Sequence, residues 1–392
     1  MAQQQSWSSL PADLVSRVAD CLLATNDLDY YDDLRGVCHH WRSATDDPRR
    51  NQHDPRFRAT RWVMLGEREY HYSAGSGDAF VNIATGRFLR KNLAPLLRDH
   101  VLLTTTTGGL LVLAARRGGS RPHAVAVRVA NPFTGSVIRF AAPLQNATGL
   151  RFTADVVGFS HTLVLVSVTS NEVFWADPQS ESFSVDTSSH GSCPACRLPL
   201  IAAGKCAAVV MGHGRRESLV DSLAVANNVV DQPILSGGGE DGCRCYVVEA
   251  GASAGELLAV LKRSNGVDVF KIDSARNSME RVRSIGTRAL FLGIRSFLVD
   301  ADRLPTIKPN CAYFLRTDIA ALARDVYRFD IAAIETEQKP EWVEEGIRDN
   351  DFIWPINLRP FTVTQLLCNY TMDILCHQPV WDGSCFGEYI DN

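Results

Sequence analysis

Cys193-Pro194-Ala195-Cys196 and Cys243-Arg244-Cys245 are the first residues whose types suggest chemistry, because two thiolate pairs can complete a tetrahedral zinc site. The first pair has ligand spacing. The second, Cys-x-Cys, is tight for a single tetrahedral ion, so loop thiols are the expected reading and no metal or other cofactor is expected. Gly158-Phe159-Ser160-His161-Thr162 approaches a nucleophile elbow, but Thr162 stands where the second glycine is needed and no helix pattern follows. Gly212-His213-Gly214 and Gly237-Gly238-Gly239-Glu240 lack the lysine and the strand-to-helix context of a phosphate cradle. The carboxylates Glu240, Asp241, Glu335, Glu337, Glu341, Glu344 and Glu345 are scattered or run together as on a solvated face, and nothing separates an acid from a base. Trp342, Trp354 and Trp381, with Phe352, Phe361 and Tyr370, are expected to fill a core or sheet interfaces. An exposed ring among them would instead anchor a bound partner. The expectation is a protein without catalytic residues.

Bulk properties narrow the class further. The chain has 392 residues, 45% of them hydrophobic, which excludes a mostly disordered protein. A formal charge of −4 demands neither a strongly basic nor a strongly acidic partner, so nucleic acid is not expected. Eleven cysteines are an odd count in a long chain that opens Met-Ala-Gln-Gln-Gln-Ser without a basic-then-apolar leader, so reduced thiols and a cytoplasmic or nuclear location are expected. No apolar run reaches the roughly eighteen residues of a membrane span.

Two kinds of element would have to position anything functional. Near the start, Leu14, Val15, Val18 and Leu22 fall on one helical face, behind Leu10, Pro11 and Asp13. Pro11 and Asp13 suit a first helical turn. After the acidic and aromatic loop Thr25–Asp33, Leu34, Val37, Cys38 and Trp41 predict a second amphipathic helix, with Arg35, His39, His40 and Arg42 largely on other faces. Gly36 inside that helix is expected to cost about 0.5–1 kcal/mol against alanine. Helices over about forty residues make no stable core alone. At roughly 1.5–3 kcal/mol per buried large apolar side chain, these faces call for a partner surface. The alternative is a helical hairpin packed on the rest of the chain.

Residues 46–58 are polar, contain Pro48 and Pro55, and are expected to form a linker between an N-terminal module, 1–45, and a large domain, 59–392. From Arg61 onward, short β-branched and aromatic runs recur between turns, from Trp62–Leu65 through Cys206–Met211 to Val326–Asp330. Sandwiches would need visible linkers. About 330 residues at roughly 40–50 per blade predict a β-propeller of about six to eight blades, although no clean repeat is evident. The expected fold is mainly β, a small all-α module followed by a propeller.

Leu10-Pro11-x-Asp13-Leu14-Val15-x-x-Val18, a polar loop, then Asp33-Leu34-x-x-Val37-Cys38-x-x-Trp41-Arg42 resembles the F-box. Asn131-Pro132-Phe133-Thr134-Gly135, Tyr246–Glu249 leading to Gly255–Val260, Val269–Asp273, Leu290–Gly293, Ser296–Val299, Leu304-Pro305 and Lys308–Phe314 look like the KIB-type propeller attached to many plant F-box proteins. The resemblance implies a substrate-recognition subunit of a Skp–cullin–F-box ubiquitin ligase. Its adaptor-binding residues would be Leu10, Pro11, Leu14, Val15, Val18, Leu22, Leu34, Val37, Cys38 and Trp41. The implied partners are a Skp-family adaptor, through it cullin and RING subunits, and a protein substrate, with no nucleic acid and no membrane. A propeller scaffold or masking protein with a vestigial F-box is the alternative. A propeller hydrolase or glycosidase would need a metal or a carboxylate cluster in the central channel.

Overall fold

Short apolar runs between tight turns bury both faces when small sheets stand side by side, and the computed structural model is built that way. It describes the chain from Trp7 to Thr371 apart from residues 52–53, 66–77, 107, 116–123, 146–151, 158–160, 168–171, 187–243, 251–256, 264, 274–277, 294, 319–322, 334–337 and 347–361. Three helices come first: α1 (Ala12–Ala24), α2 (Leu28–Gly36) and α3 (His39–Ser43).

Among the described residues five sheets follow as the blades of a propeller. Blade 1 holds β1 (Trp62–Leu65), β2 (Asp78–Asn82) and β3 (Phe88–Lys91), and the short helix α4 (Ala94–Leu97) leads out of it. Blade 2 is β4 (His100–Thr105), β5 (Leu111–Ala115), β6 (Ala124–Ala130) and β7 (Val137–Gln145). Blade 3 is β8 (Phe152–Val157), β9 (Thr162–Ser167), β10 (Val173–Ala176) and β11 (Ser184–Asp186). Blade 4 is β12 (Arg244–Glu249), β13 (Leu257–Arg263), β14 (Gly266–Asp273) and β15 (Ser278–Val282). Blade 5 is β16 (Arg288–Leu292), β17 (Phe297–Asp300), β18 (Cys311–Asp318), β19 (Ala323–Asp330) and β20 (Glu341–Glu345). Blades 1 to 4 are meanders, whereas blade 5 runs β17-β16-β18-β19-β20 with β16 parallel to β18.

The cores lie between blades. Val127, Phe140 and Leu144 of blade 2 pack with Phe152, Leu163 and Phe174 of blade 3. Val248, Val260 and Val269 of blade 4 pack with Leu290, Phe314 and Phe329 of blade 5. The ring closes where Val63 and Val81 of blade 1 meet Phe291, Tyr313 and Val326 of blade 5 around Leu367 and Cys368 of helix α5 (Val363–Thr371). A reciprocal cap starts α5: Thr362 N donates to Gln365 Oε1 at 2.9 Å, and Gln365 N donates to Thr362 Oγ1 at 3.0 Å. Its far end reaches blade 2, with the Tyr370 hydroxyl 3.3 Å from Thr105 Oγ1.

The blade count corrects the expected six to eight. Dividing length by a per-blade quota assumes that all of the chain is blade, whereas the residues of α1 to α5, among others, are not. β15, β20 and α5 are elements the strand pattern does not predict, although Thr362-x-x-Gln365 before Leu366 and Leu367 is a legible helix start. The expected strand Cys206–Met211 lies outside the described residues. A repeat does exist: the last hairpin turn of each blade opens on Asn82, Asn131, Asp177, Asp273 or Asp330.

Leu367 is fully buried at the ring closure. Leu367→Ala should lower unfolding stability by about 2–5 kcal/mol, the range for a cavity in a packed core. The exposed Trp342→Ala should change it by less than about 0.5 kcal/mol. Denaturant titration reads both.

Candidate functional site

The N-terminal helices have two faces. Val15 and Ala19 of α1, with Leu28, Tyr31 and Leu34 of α2, share one core with Phe57, Trp62, Phe80, Leu111 and Phe133. On the other side Trp7, Leu14, Val18 and Val37 are 76%, 38%, 46% and 55% exposed. Four large apolar side chains on so small a module are a candidate docking face. Pro11 is also exposed, and Leu10, Leu22, Cys38 and Trp41 are half-buried.

Five of the residues expected on that face pack against the chain's own core, Leu10, Leu22 and Trp41 part-buried against it and Val15 and Leu34 inside it. Val15 and Leu34, 1% and 7% exposed, point into the chain's own core. Apolar spacing identifies an apolar stripe but does not say which body covers it. The second helix is corrected as well: α2 begins at Leu28, inside the expected loop, and the helix breaks at Cys38, whose backbone is extended with φ −161° and ψ 170°. Gly36 ends α2 in open space rather than weakening its middle.

Arg35 holds the corner between α2 and α3. It is buried, and its Nη1 donates to the carbonyls of Thr45 and Asp46, each at 2.7 Å. Both carbonyls lie just past the end of α3, and the same Nη1 is 3.3 Å from Arg42 O, a carbonyl that the helix end leaves without an intrahelical partner. Asp47 lies 3.5 Å from Arg35 Nη2. Arg35 looks like a solvent-facing charge in the sequence because its partners are backbone oxygens, which leave no residue-type signal.

The loop Thr25–Asp33 and the expected linker form the joint to the propeller. Asn26 adopts φ 59°, the left-handed region that asparagine tolerates better than most residues. Its carbonyl accepts the Trp62 indole N–H at 2.7 Å, its Nδ2 donates to Arg58 O at 2.7 Å, and its Oδ1 accepts from Arg61 N at 3.2 Å. The Tyr31 hydroxyl donates to Asp46 O at 2.9 Å, and the ring lies 5.5 Å from that of Phe57. Arg87, just before β3, pairs with both Asp27 and Asp29, its Nη2 2.8 Å from Asp27 Oδ1 and its Nη1 2.7 Å from Asp29 Oδ2. Its guanidinium lies 4.0 Å from the Tyr30 ring centre and 4.9 Å from that of Trp62. Within the expected linker 46–58, Phe57 is buried in the shared core, while Asp46, Arg49, Arg50, Asn51 and Arg56 are exposed.

Other candidates stand as follows. Cys193, Cys196 and Cys243 lie outside the described residues, and Cys245 sits in β12. Among the described residues no group of three or more His, Cys, Asp or Glu side chains converges as metal ligands. Gly158, Phe159 and Ser160 also lie outside them, and Thr162 opens a strand rather than the helix an elbow needs. Trp342 is exposed on the edge strand β20, whereas Tyr370 packs edge-on to Phe297 at 5.5 Å. Trp354, Trp381, Phe352 and Phe361 are not among the described residues.

A sequence model of the KIB1-4 beta-propeller matches residues 80–333. The chain belongs to this family. The match spans strands of all five blades and begins after the three N-terminal helices. No curated protein matches the chain significantly. A KIB1-4 beta-propeller points to protein–protein interaction rather than catalysis, which agrees with an exposed apolar face beside a propeller. Among the described residues no helix is long and apolar enough to cross a membrane.

Burial raises the Asp29 carboxyl, but hydrogen bonding and charge from Arg87 outweigh it and hold the pKa below the usual 3.8. A carboxylate with a depressed folded pKa stabilises the native state above its unfolded pKa and loses that contribution as pH falls through the folded value. Asp29→Asn should therefore be less stable than the native sequence at pH 7, with the difference shrinking below about pH 4. Denaturation midpoints across pH 2.5–7 measure this.

Proposed function

We propose that this KIB1-4 propeller is the substrate-recognition subunit of a Skp–cullin–F-box ubiquitin ligase. The helical module clips to a Skp-family adaptor and the propeller holds a target protein. The observation that carries the reading is the exposure of Leu14, Val18 and Val37 on helices whose opposite face is already buried. A module that needed apolar groups only for its own packing has no use for them in water. Leu10, Leu22, Cys38 and Trp41 would contribute their accessible edges, while Val15 and Leu34 hold the backbone that presents the face. The chemistry then belongs to the other subunits. The chain contributes proximity, raising the effective concentration of target lysines near the charged conjugating enzyme.

The half-burial of Leu10, Leu22, Cys38 and Trp41 and the full burial of Val15 and Leu34 favour a second reading. A face narrower than the motif implies suits a scaffold or masking protein with a vestigial F-box. The adaptor separates the two: stoichiometric co-purification supports the ligase subunit, and its absence supports the scaffold. Val18→Asp combined with Val37→Asp should reduce adaptor pull-down at least tenfold while leaving the melting temperature within a few degrees, since both side chains are exposed. Undiminished pull-down would remove this face as the adaptor site, and no pull-down by the native sequence would remove the ligase reading.

A further inference from the structure

Two turns of the propeller are built alike and used alike. Asn82-Ile83-Ala84-Thr85-Gly86 joins β2 to β3, and Asn131-Pro132-Phe133-Thr134-Gly135 joins β6 to β7. In each, the asparagine Oδ1 accepts the N–H two residues on, Ala84 at 3.0 Å and Phe133 at 2.9 Å. In each, the glycine takes φ 70° and its N–H returns to the asparagine carbonyl.

The asparagine amides do something more. Asn82 Nδ2 donates to Thr25 O at 3.0 Å, and Asn131 Nδ2 donates to Phe57 O at 2.7 Å. Both carbonyls belong to the N-terminal segment. The corresponding turns of blades 3, 4 and 5 open on Asp177, Asp273 and Asp330. Aspartate can close the turn, as Asp330 Oδ1 does by accepting Ala332 N at 2.9 Å, but an ionised carboxylate has no N–H to give a carbonyl. The donor-bearing residue thus stands in the two blades whose turns lie under the N-terminal segment, and the donor-less one in the other three. Arg87 follows the first turn directly and carries the pair of bonds to Asp27 and Asp29.

We propose that Asn82, Asn131 and Arg87 are positioning residues that set the angle at which the helical module stands on the propeller. On the ligase reading, with which this half of the inference stands or falls, they also set the direction in which a bound target faces the conjugating enzyme. The shared apolar core decides how tightly the module is held, but apolar burial is non-directional. Direction comes from groups with fixed geometry: one buried and one part-buried amide bond and a planar guanidinium shared by two carboxylates.

The test is a distance distribution in the full chain. Spin labels carried on genetically encoded ketone residues replace Asp20 in α1 and Arg283 beyond β15, both exposed, leaving every native cysteine in place. The native sequence should show one narrow peak. Asn82→Asp with Asn131→Asp keeps the turn-closing oxygen and removes the donor, and should at least double the peak width. If that variant does not fold, Arg87→Ala carries the same expectation on a part-exposed side chain. An unchanged width in the folded variant overturns the positioning role. The second half is read in a reconstituted ligase by mapping ubiquitin on the chain's own lysines. The native sequence should modify a restricted set and the variant a wider one, with adaptor affinity unchanged within twofold. An unchanged lysine map overturns the directional role. If the native chain never binds adaptor but its peak broadens in the variant, the ligase reading fails and the positioning role stands. If adaptor binds and the width does not change, the reverse holds.

Discussion

The indole of Trp62 is where three parts of the chain meet. It opens the first strand of the propeller, its N–H is given to the Asn26 carbonyl between α1 and α2, and its ring lies 4.9 Å from that of Phe133 in the second blade. A large ring with one polar atom suits such a junction, because its faces fill an apolar core while its edge fixes an orientation. The cost of burying that N–H is offset only if Asn26 holds its backbone in the left-handed turn. The geometry of an N-terminal loop and the packing of two blades therefore depend on one another. Take away the indole and helices, joint and first blade lose their common reference.

That dependence explains how so small a helical module is stable. Helices of this length cannot make a core of their own. These use one face against Phe57, Trp62 and Phe133 and leave Leu14, Val18 and Val37 outside. The module is thus both a hairpin packed on the body and a surface for something else, two readings that the apolar pattern sets against each other. Some of the acidic and aromatic residues just before α2 and in its first turns belong to the packed side. Asp27, Asp29 and Tyr31 serve the joint, so their departure from an ordinary polar loop follows from the propeller beneath them.

Both ends of the described chain converge on the first blade. The helices sit over its outer turn, and α5 packs on β1 while also contacting β16 and β18 of the last blade. A ring of blades gains most from a contact that joins its two ends, because an open ring leaves two apolar blade faces in water. Here a helix supplies that contact beside a sheet that has three strands among the described residues. Arg295, between β16 and β17, ties α5 to blade 2. Arg295 Nη2 donates to Thr104 Oγ1 at 2.9 Å, and Arg295 N donates to Thr371 O at 3.1 Å.

Most strands were legible in the chain because β-branched runs between turn residues report a local preference that packing reinforces. The apolar stripe of α1, the Asn131–Gly135 turn and the propeller class were legible for the same reason. The blade number was not, since nothing local says how much chain lies between blades. The repeat of Asn or Asp at each last hairpin is not legible either, because one residue per blade is a weak signal until the strands around it are aligned. What the sequence determined by itself is therefore which residues prefer strand, turn or helix and which side chains need cover. Tertiary structure alone decided what covers them: that Val15 and Leu34 turn inward while Val18 and Val37 do not, that Arg35 closes a helix corner, and that Asn82, Asn131 and Arg87 meet partners 57 to 74 residues earlier in the chain. Hydrophobic preference is set by the side chain, but the direction it faces is set by contacts distant in sequence, and those exist only once the blades have come together.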